Sequence, residues 1–329
     1  MPAEVRAWRR GDETPILDLF ARSFPHAPLS LDRWRWKYER NPFGACRITI
    51  ALDDEQRVVG HYAAYPVMFR EGGRDVLAQQ VGDTMTDVSV RHLGRGPTSI
   101  LGRMAAHFYE TFCEGQVAFN YGFNVDNIQR FSIRFLRSER VEPVTYRVRD
   151  LAAHPLRPLR RAERWAGGWQ LELVSSVGEE FDDLFRRAAP HYGFLLRRDA
   201  SYLRWRYFEL PQAPYIMVAV RKWRRLAGWI VFRIRDRRLT LGDALFDRRW
   251  PEAFELALRG VVPSYPVDAL EGWLTRRPAW WDALLHETQF EERPEPQDLS
   301  LMCVPFGMPD AVARMRAALY YTWGDSDLF

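Results

Sequence analysis

Lysine is almost missing from this chain: among 47 basic residues only Lys37 and Lys222 are lysine. Schiff-base chemistry therefore has few candidate amines, and the remaining positive charge sits on arginine, which is never a proton donor at ordinary pH. Cysteine is scarce too. Cys46, Cys113 and Cys303 are far apart, which excludes a disulfide framework and a cysteine zinc site, and no metal is expected. No run approaches about 18 consecutive apolar residues, and the start, MPAEVRAWRRGDE, has no apolar leader segment, so the expectation is a cytoplasmic protein with no membrane partner. An excess of one charge is also absent. The 47 basic and 43 acidic residues leave +4, too near balance for bulk-charge binding to nucleic acid or membrane. Any basic patch must be local.

What is present is ordinary globular material: 329 residues, 47% hydrophobic and 27% charged, at roughly 150 residues per domain enough for two domains. The two halves share a long self-similarity. Trp36-Lys37-Tyr38 followed by Asn41-Pro42 matches Trp205-Arg206-Tyr207 followed by Leu210-Pro211. Gly60 matches Gly228, and Gly82-Asp83 through Asp87 matches Gly242-Asp243 through Asp247. Three matches in one order point to a duplication.

Periodicity gives the same picture. In the first half Val5 to Trp8 reads as a strand, then come helices over 12–23 and 31–38 and a meander of strands over 47–52, 57–69 and 75–90. A helix over 100–112, a strand over 116–120, a helix over 127–136 and a strand over 141–149 complete the order βααβββαβαβ. The second half repeats a similar order. Pro155, Pro158, Gly167, Gly168 and clustered arginines give the segment between them the composition of a linker. The expected domains are 1–150, a linker over 151–175, and 176–329. The fold class is α/β (α+β), two tandem lobes, each a mixed, mostly antiparallel sheet flanked by helices.

Chemistry should gather after the third meander strand, where the sequence runs Arg91-His-Leu-Gly94-Arg95-Gly96-Pro97. Two glycines between a strand end and a helix start let backbone amides point outward without side-chain obstruction, and the helix dipole favours an anion. A diphosphate fits such a turn; a plain tight turn also explains it. At this point the chain resembles the GNAT (GCN5-related) N-acetyltransferase superfamily. The residues that carry the resemblance are Arg91-x-x-Gly94-x-Gly96, the strand leading into it through Asp83-Thr84-Met85-Thr86, and Gly122-Phe123-Asn124-Val-Asp-Asn127 opening a later helix. With Trp36 to Pro42 after the second helix, it is similar to the two-lobed, tandem type.

The resemblance implies an acyl-CoA donor, acetyl-CoA or another acyl-CoA, with its pyrophosphate on the amides around Arg91, Gly94, Arg95 and Gly96. It places the pantetheine arm in a splay between two strands, near Met85, Thr86 and Val88, with Asn124 and Asn127 beside it. It further implies direct attack by the amine of a small-molecule acceptor, a metabolite or amino sugar, with no covalent enzyme intermediate. Asp83 and Asp87, four apart, share one face if the strand stays regular, and either could be the general base; a buried structural carboxylate is the other reading of Asp83. Many relatives carry a tyrosine acid about seven residues beyond Asn127, where this chain has Arg134. Tyr109, Tyr121, His61, His92 and His107 are the other acid–base candidates. The second half keeps Asp243 and Asp247 but has Arg-Arg-Trp-Pro where the glycine turn would be, so a second donor site is not expected there. Near the end of the sequence, Asp325 and Asp327 among aromatics could hold an ammonium acceptor or anchor the segment. Two other functions remain open: a transferase of the Fem type, with a donor on tRNA or a carrier protein and a role for the basic stretches 157–164 and 221–225, and a non-catalytic ligand sensor. Oligomeric state is not legible.

Overall fold

A computed structural model describes residues 4–26 and 29–329. Residues 1–3 and 27–28 lie outside the described residues. Along the chain come β1 (Glu4–Ala7), α1 (Glu13–Ser23), α2 (Leu31–Tyr38), β2 (Arg47–Leu52), β3 (Val58–Glu71), β4 (Arg74–Thr86), α3 (Ile100–Phe112), β5 (Phe119–Asn124), α4 (Asp126–Phe135) and β6 (Glu139–Pro143). This is the expected βααβββαβαβ order. Next are β7 (Tyr146–Asp150), α5 (Arg161–Ala166), β8 (Trp169–Leu173), α6 (Glu179–Ala188), β9 (Phe194–Leu196), α7 (Ala200–Leu203), β10 (Ile216–Lys222), β11 (Arg225–Arg235) and β12 (Arg238–Phe246). The last are α8 (Glu252–Val261), β13 (Ala269–Trp273), α9 (Ala279–Glu287), β14 (Glu291–Arg293), β15 (Ser300–Pro305), α10 (Ala311–Ala318) and β16 (Leu319–Tyr320).

The chain divides into two compact lobes: Met1–Phe69, Asp75–Pro143 and Gln297–Arg316 form the first, and Arg70–Arg74, Val144–Pro296 and Ala317–Phe329 the second. This division differs from the one expected. The single strand read over 141–149 is two strands, β6 and β7, which belong to different sheets and are separated by Val144 and Thr145, with the lobe boundary at Pro143/Val144. The segment 151–175 is not a free connector, because it contains α5 and β8, and β8 pairs antiparallel with β10. Its prolines and glycines mark turns within the lobe. In return, β15 comes back to the first lobe and pairs with β5 on one side and β6 on the other.

In the first lobe the strands lie in the order β1-β2-β3-β4-β5-β15-β6, and in the second β14-β7-β13-β12-β11-β10-β8. Each sheet is mixed, with one parallel contact in the middle: β4 with β5, and β12 with β13. Helix α3 buries Ile100, Met104, Ala105 and Phe108 against Ala51, Val59 and Tyr62, forming the first lobe's core on that face. Helix α2 starts at Ser30, whose side chain accepts from the Arg33 amide, and buries Trp34, Trp36 and Tyr38. Lys37 goes in with them. Its Nζ lies 2.8 Å from Asp83 Oδ2, and the Tyr38 hydroxyl donates to the same oxygen at 2.7 Å.

The second lobe repeats this clamp. The Tyr207 hydroxyl donates to Asp243 Oδ2 at 2.7 Å, while the cation on Asp243 is Arg198, at 2.8 Å, rather than the adjacent Arg206. The next carboxylate repeats as well. The Asp87 amide donates to the Val59 carbonyl and the Asp247 amide to the Ala227 carbonyl, both at 2.8 Å. Arg22 pairs with Asp87, and Arg187 with Asp247. Corresponding side chains therefore do corresponding work, which is the physical content of the duplication.

A buried carboxylate whose one cation is removed is left uncompensated, at a cost of roughly 3–5 kcal/mol. Lys37→Met is expected to destabilise by that order in urea unfolding, and Tyr38→Phe by about 1.5–3 kcal/mol, the scale of one bond to a charged group. Burial pushes the Asp83 carboxyl up, but the Lys37 ammonium and the bonds from Lys37 and Tyr38 hold it below the usual carboxylate range. Its contribution is thus present above the ordinary carboxylate pKa and lost as pH falls through the folded value. The gap between Lys37→Met and the parent should close on acidification.

Candidate functional site

Strands β4 and β5 pair only at Gln79 with Asn120 and Gln80 with Tyr121. Beyond that point β4 runs on to Thr86 without β5, while β5 stays paired to β15 up to Asn124 opposite Ser300. The strands therefore part, leaving an opening at their carboxyl ends. Asp83 lies on the diverging stretch in the left-handed region, φ 51°, a costly conformation for a residue with a Cβ. Its own contacts hold it there: Lys37 and Tyr38 take the carboxylate, and His61 Nδ1 lies 2.7 Å from its carbonyl oxygen.

A cavity of about 400 Å³ lies against this end of β4. Its walls are Thr84, Met85 and Thr86 from β4, Ser23 and Phe24 at the end of α1, Val90 and Arg91 from the following turn, Ser99, Ile100 and Leu101 at the start of α3, and Ile128 and Phe131 of α4. The turn is built by its glycines. Gly94 has φ 74° and Gly96 φ 55°; a Cβ on Gly94 would sit 2.3 Å from the Thr98 carbonyl oxygen, and one on Gly96 2.7 Å from the Phe135 ring. Ser99 caps α3, accepting from the Gly102 amide and donating to the Gly96 carbonyl. The amides of Gly94, Gly96, Ile100 and Leu101 donate to no protein acceptor among the described residues. Together with the N-terminal end of the 13-residue helix α3, they make a positive, donor-rich mouth.

Of the residues singled out from sequence, Met85, Thr86 and Arg91 line the cavity, and Gly94 and Gly96 shape the turn beside it. Val88 is largely exposed just beyond β4, and Arg95 is exposed in the turn. Asn124 ends β5, its carbonyl held by the Gln129 side chain, and Asn127 is exposed on α4 with its side chain accepting from Arg130. Sequence reasoning missed Ile128 and Phe131, although their place on α4 beside the recognised Asn127 was a usable signal.

The acid–base candidates fare differently. Strand β4 ends at Thr86 after the turn of the backbone at Asp83, so the regular spacing that would put Asp83 and Asp87 on one face does not hold. Asp83 sits in its buried ion pair. Asp87 accepts from the Ser89 amide and hydroxyl and from Arg22, and these bonds, the Ser89 ones foremost, keep it below the usual carboxylate range. Both are poor bases as placed. Tyr109 is buried, its hydroxyl near that of Tyr62 and donating to the Leu136 carbonyl, and burial pushes it up to about 12. Burial lowers the His61 pKa, which favours a neutral ring. Arg134 is exposed, over the Phe135 ring.

In the second lobe β12 and β13 pair only from Arg238 with Ala269 to Leu241 with Gly272, so the same divergence recurs. Here it is filled. The Tyr320 hydroxyl donates to the Ala244 carbonyl, Thr322 donates to Asp243, Trp323 stacks on Trp273 at 5.0 Å, and the Phe329 ring lies so close over Gly242 that a Cβ there would be 1.7 Å away. Asp325, expected as an acceptor ligand, is buried and paired with Arg198 at 2.7 Å, so its contacts are those of an anchor for this segment. Asp327 lies in the same segment, half-buried.

Residues 4–135 match the family model described as the acetyltransferase (GNAT) domain. The matched stretch lies almost wholly within the first lobe. The whole chain has the two-lobed GNAT fold: it is similar to a probable N-acyltransferase of unknown function from Enterococcus faecalis V583, at 14% identity and TM-score 0.69 over 94% of this chain and 74% of that one. It is also similar to a GCN5-related N-acetyltransferase from Anabaena variabilis, at 15% identity and TM-score 0.67 over 92% and 72%. N-myristoyltransferase of Saccharomyces cerevisiae, solved with bound myristoyl-CoA, matches at 10% identity and TM-score 0.59 over 92% and 82%. No curated protein matches the chain in sequence. Family and fold support acyl transfer in general. Among the described residues no helix is long and apolar enough to cross a membrane.

Burial pushes the Asp325 carboxyl up, Asp243 adds to this, and Arg198 opposes it, leaving it at about 6. Between the ordinary carboxylate value, 3.8, and about 6 the folded form binds more protons than the unfolded, so this group's contribution to stability falls as pH rises through that window. Melting curves are expected to show the parent losing ground to Asp325→Asn over that pH range. A pH-independent difference would contradict the assignment.

Proposed function

We propose that this protein is an acyl-CoA-dependent N-acyltransferase that passes its acyl group to the amine of a small-molecule acceptor by direct attack. The observation that carries this reading is the opening between β4 and β5, with four unpartnered amides at its mouth and a cavity of about 400 Å³ beside it. The donor set suits a pyrophosphate: backbone N–H groups lie beside a helix N-terminus, Arg91 adds charge while its Nε donates to the Thr86 carbonyl, and Arg95 is exposed in the same turn. Met85 and Val88 lie along the diverging edge where an amide-containing arm would run, while the Thr86 carbonyl accepts from Arg91 and the Asp87 amide donates to Val59, and Asn124 stands at the end of the facing strand.

The acyl thioester supplies the activated carbonyl when bound, and the chain's task is to hold it beside the amine. Among the described residues that line the cavity there is no carboxylate, imidazole or phenol. The chemistry this suits is orientation of an amine that reaches the thioester unprotonated, where effective concentration supplies much of the rate. Asp83 serves such a site by fixing the course of β4, not by taking a proton. A non-catalytic acyl-CoA sensor is the second reading, favoured by the engaged Asp83 and Asp87 and by Arg134 where relatives carry a tyrosine.

Calorimetry with coenzyme A should give saturable binding, weakened at least tenfold in Gly94→Ala and Gly96→Ala with the fold retained by circular dichroism. Absent binding, or unchanged affinity in both variants, would remove the proposal. Thiol release from acetyl-CoA over a panel of small amines then separates the readings: turnover with any amine supports the transferase, and binding with no turnover across acyl lengths and amines supports the sensor.

A further inference from the structure

We infer that the corner of the second lobe formed by α5, the start of β8 and the β10–β11 turn is a docking surface for an anionic membrane. Two indoles stand out of it: Trp165 at the end of α5 is 84% exposed and Trp223 in the turn 70%. They belong to one patch. The Gly168 amide donates to the Trp165 carbonyl, the Trp223 amide donates to the Gly168 carbonyl, and the Trp223 ring lies against Gly168, where a Cβ would sit 2.7 Å from it. Lys222 fixes the base of the patch, donating to the Gly167 carbonyl and lying 4.2 Å from the Trp169 ring centre and 5.7 Å from that of Trp223.

The turn itself is costly. Trp223 has φ 49° and Arg224 φ 70°, a pair of left-handed residues where a two-residue hairpin prefers Asn-Gly. The β3–β4 hairpin meets the same demand with Gly72 and Gly73. The β11–β12 turn of the same lobe also runs left-handed without glycine, at Asp236 and Arg237, so what sets the β10–β11 turn apart is the exposed indole it carries. Charge completes the argument. Glu163 is taken by Arg259, and Glu172 and Glu180 by Arg221. Arg157, Arg160, Arg161, Arg164, Arg224 and Arg225 have no carboxylate partner among the described residues, so the patch is locally cationic although the whole chain is near balance. Indoles flanked by arginines match the interface of an anionic bilayer, where the ring enters the headgroup layer and guanidinium groups meet phosphate. The rings project from a helix end and a hairpin tip beside the edge strand β8, a placement suited to a flat surface rather than to a strand held in a groove.

Sedimentation of the full chain with vesicles tests this. Binding is expected to vesicles of phosphatidylcholine mixed with phosphatidylglycerol, with a blue shift in tryptophan emission, and to be at least tenfold weaker for phosphatidylcholine alone. Trp223→Asn is the informative variant: asparagine suits the left-handed turn, so the fold should hold or gain stability while vesicle affinity drops. Arg161→Gln with Arg164→Gln should weaken binding roughly tenfold. No binding to the anionic vesicles, or binding unchanged in Trp223→Asn, overturns the inference. So does retention of a single-stranded RNA without vesicle binding, which would assign the patch to nucleic acid.

Discussion

One partly buried carboxylate governs the donor side of this fold. Asp83 lies in a strand yet has a left-handed backbone, and it keeps that shape because Lys37, Tyr38 and His61 bind its two ends. The stretch of β4 around it, past Gln80, no longer follows β5, and the peptide groups along it are left without that strand as a partner. The glycines downstream would have little to act on without that divergence. Cost and use coincide at the same residue: the strain is local, and the clamp that offsets it comes from α2, a helix whose other work is burying Trp34 and Trp36.

In the second lobe the same geometry is filled from within the chain. Its Tyr207–Asp243 pair repeats Tyr38–Asp83, and its parallel strands diverge at the equivalent place. There the chain's own segment Tyr320–Phe329 supplies the missing partners, and Arg198 takes both Asp243 and Asp325. The half that has no glycine turn is thus also the half whose gap is filled by its own chain. Gly242 records it most directly, since any side chain there would collide with Phe329.

Much of this was legible in the sequence. The aromatic-cation-tyrosine triplets and the two Gly-Asp pairs were visible as a repeat, and they prove to be the two halves of each clamp. Helices announced by apolar periodicity, such as 31–38 and 100–112, fall where expected. The glycine turn was readable because only glycine tolerates both its φ angles and its crowding. Three things were not readable. Whether Asp83 and Asp87 share a face depends on a backbone angle that no spacing reveals. Which of its two roles Asp325 plays, ligand or anchor, was hidden because a carboxylate near the end of a sequence gives no sign of the arginine it meets 127 residues away. The lobe boundary was misplaced since proline and glycine mark turns inside a lobe as readily as the gap between lobes, and a strand that returns from far along the chain leaves no local trace.

That returning strand constrains how the protein can be made. Until β15 has left the ribosome, β5 and β6 in the first lobe face each other across an empty lane, each with a bare edge able to recruit a neighbouring chain. The intervening material is the bulk of the second lobe, so the first cannot complete its sheet during its own synthesis. Nascent chains should therefore depend on chaperone cover for longer than an ordinary two-domain protein, and a fragment cut after residue 143 inherits that open lane permanently.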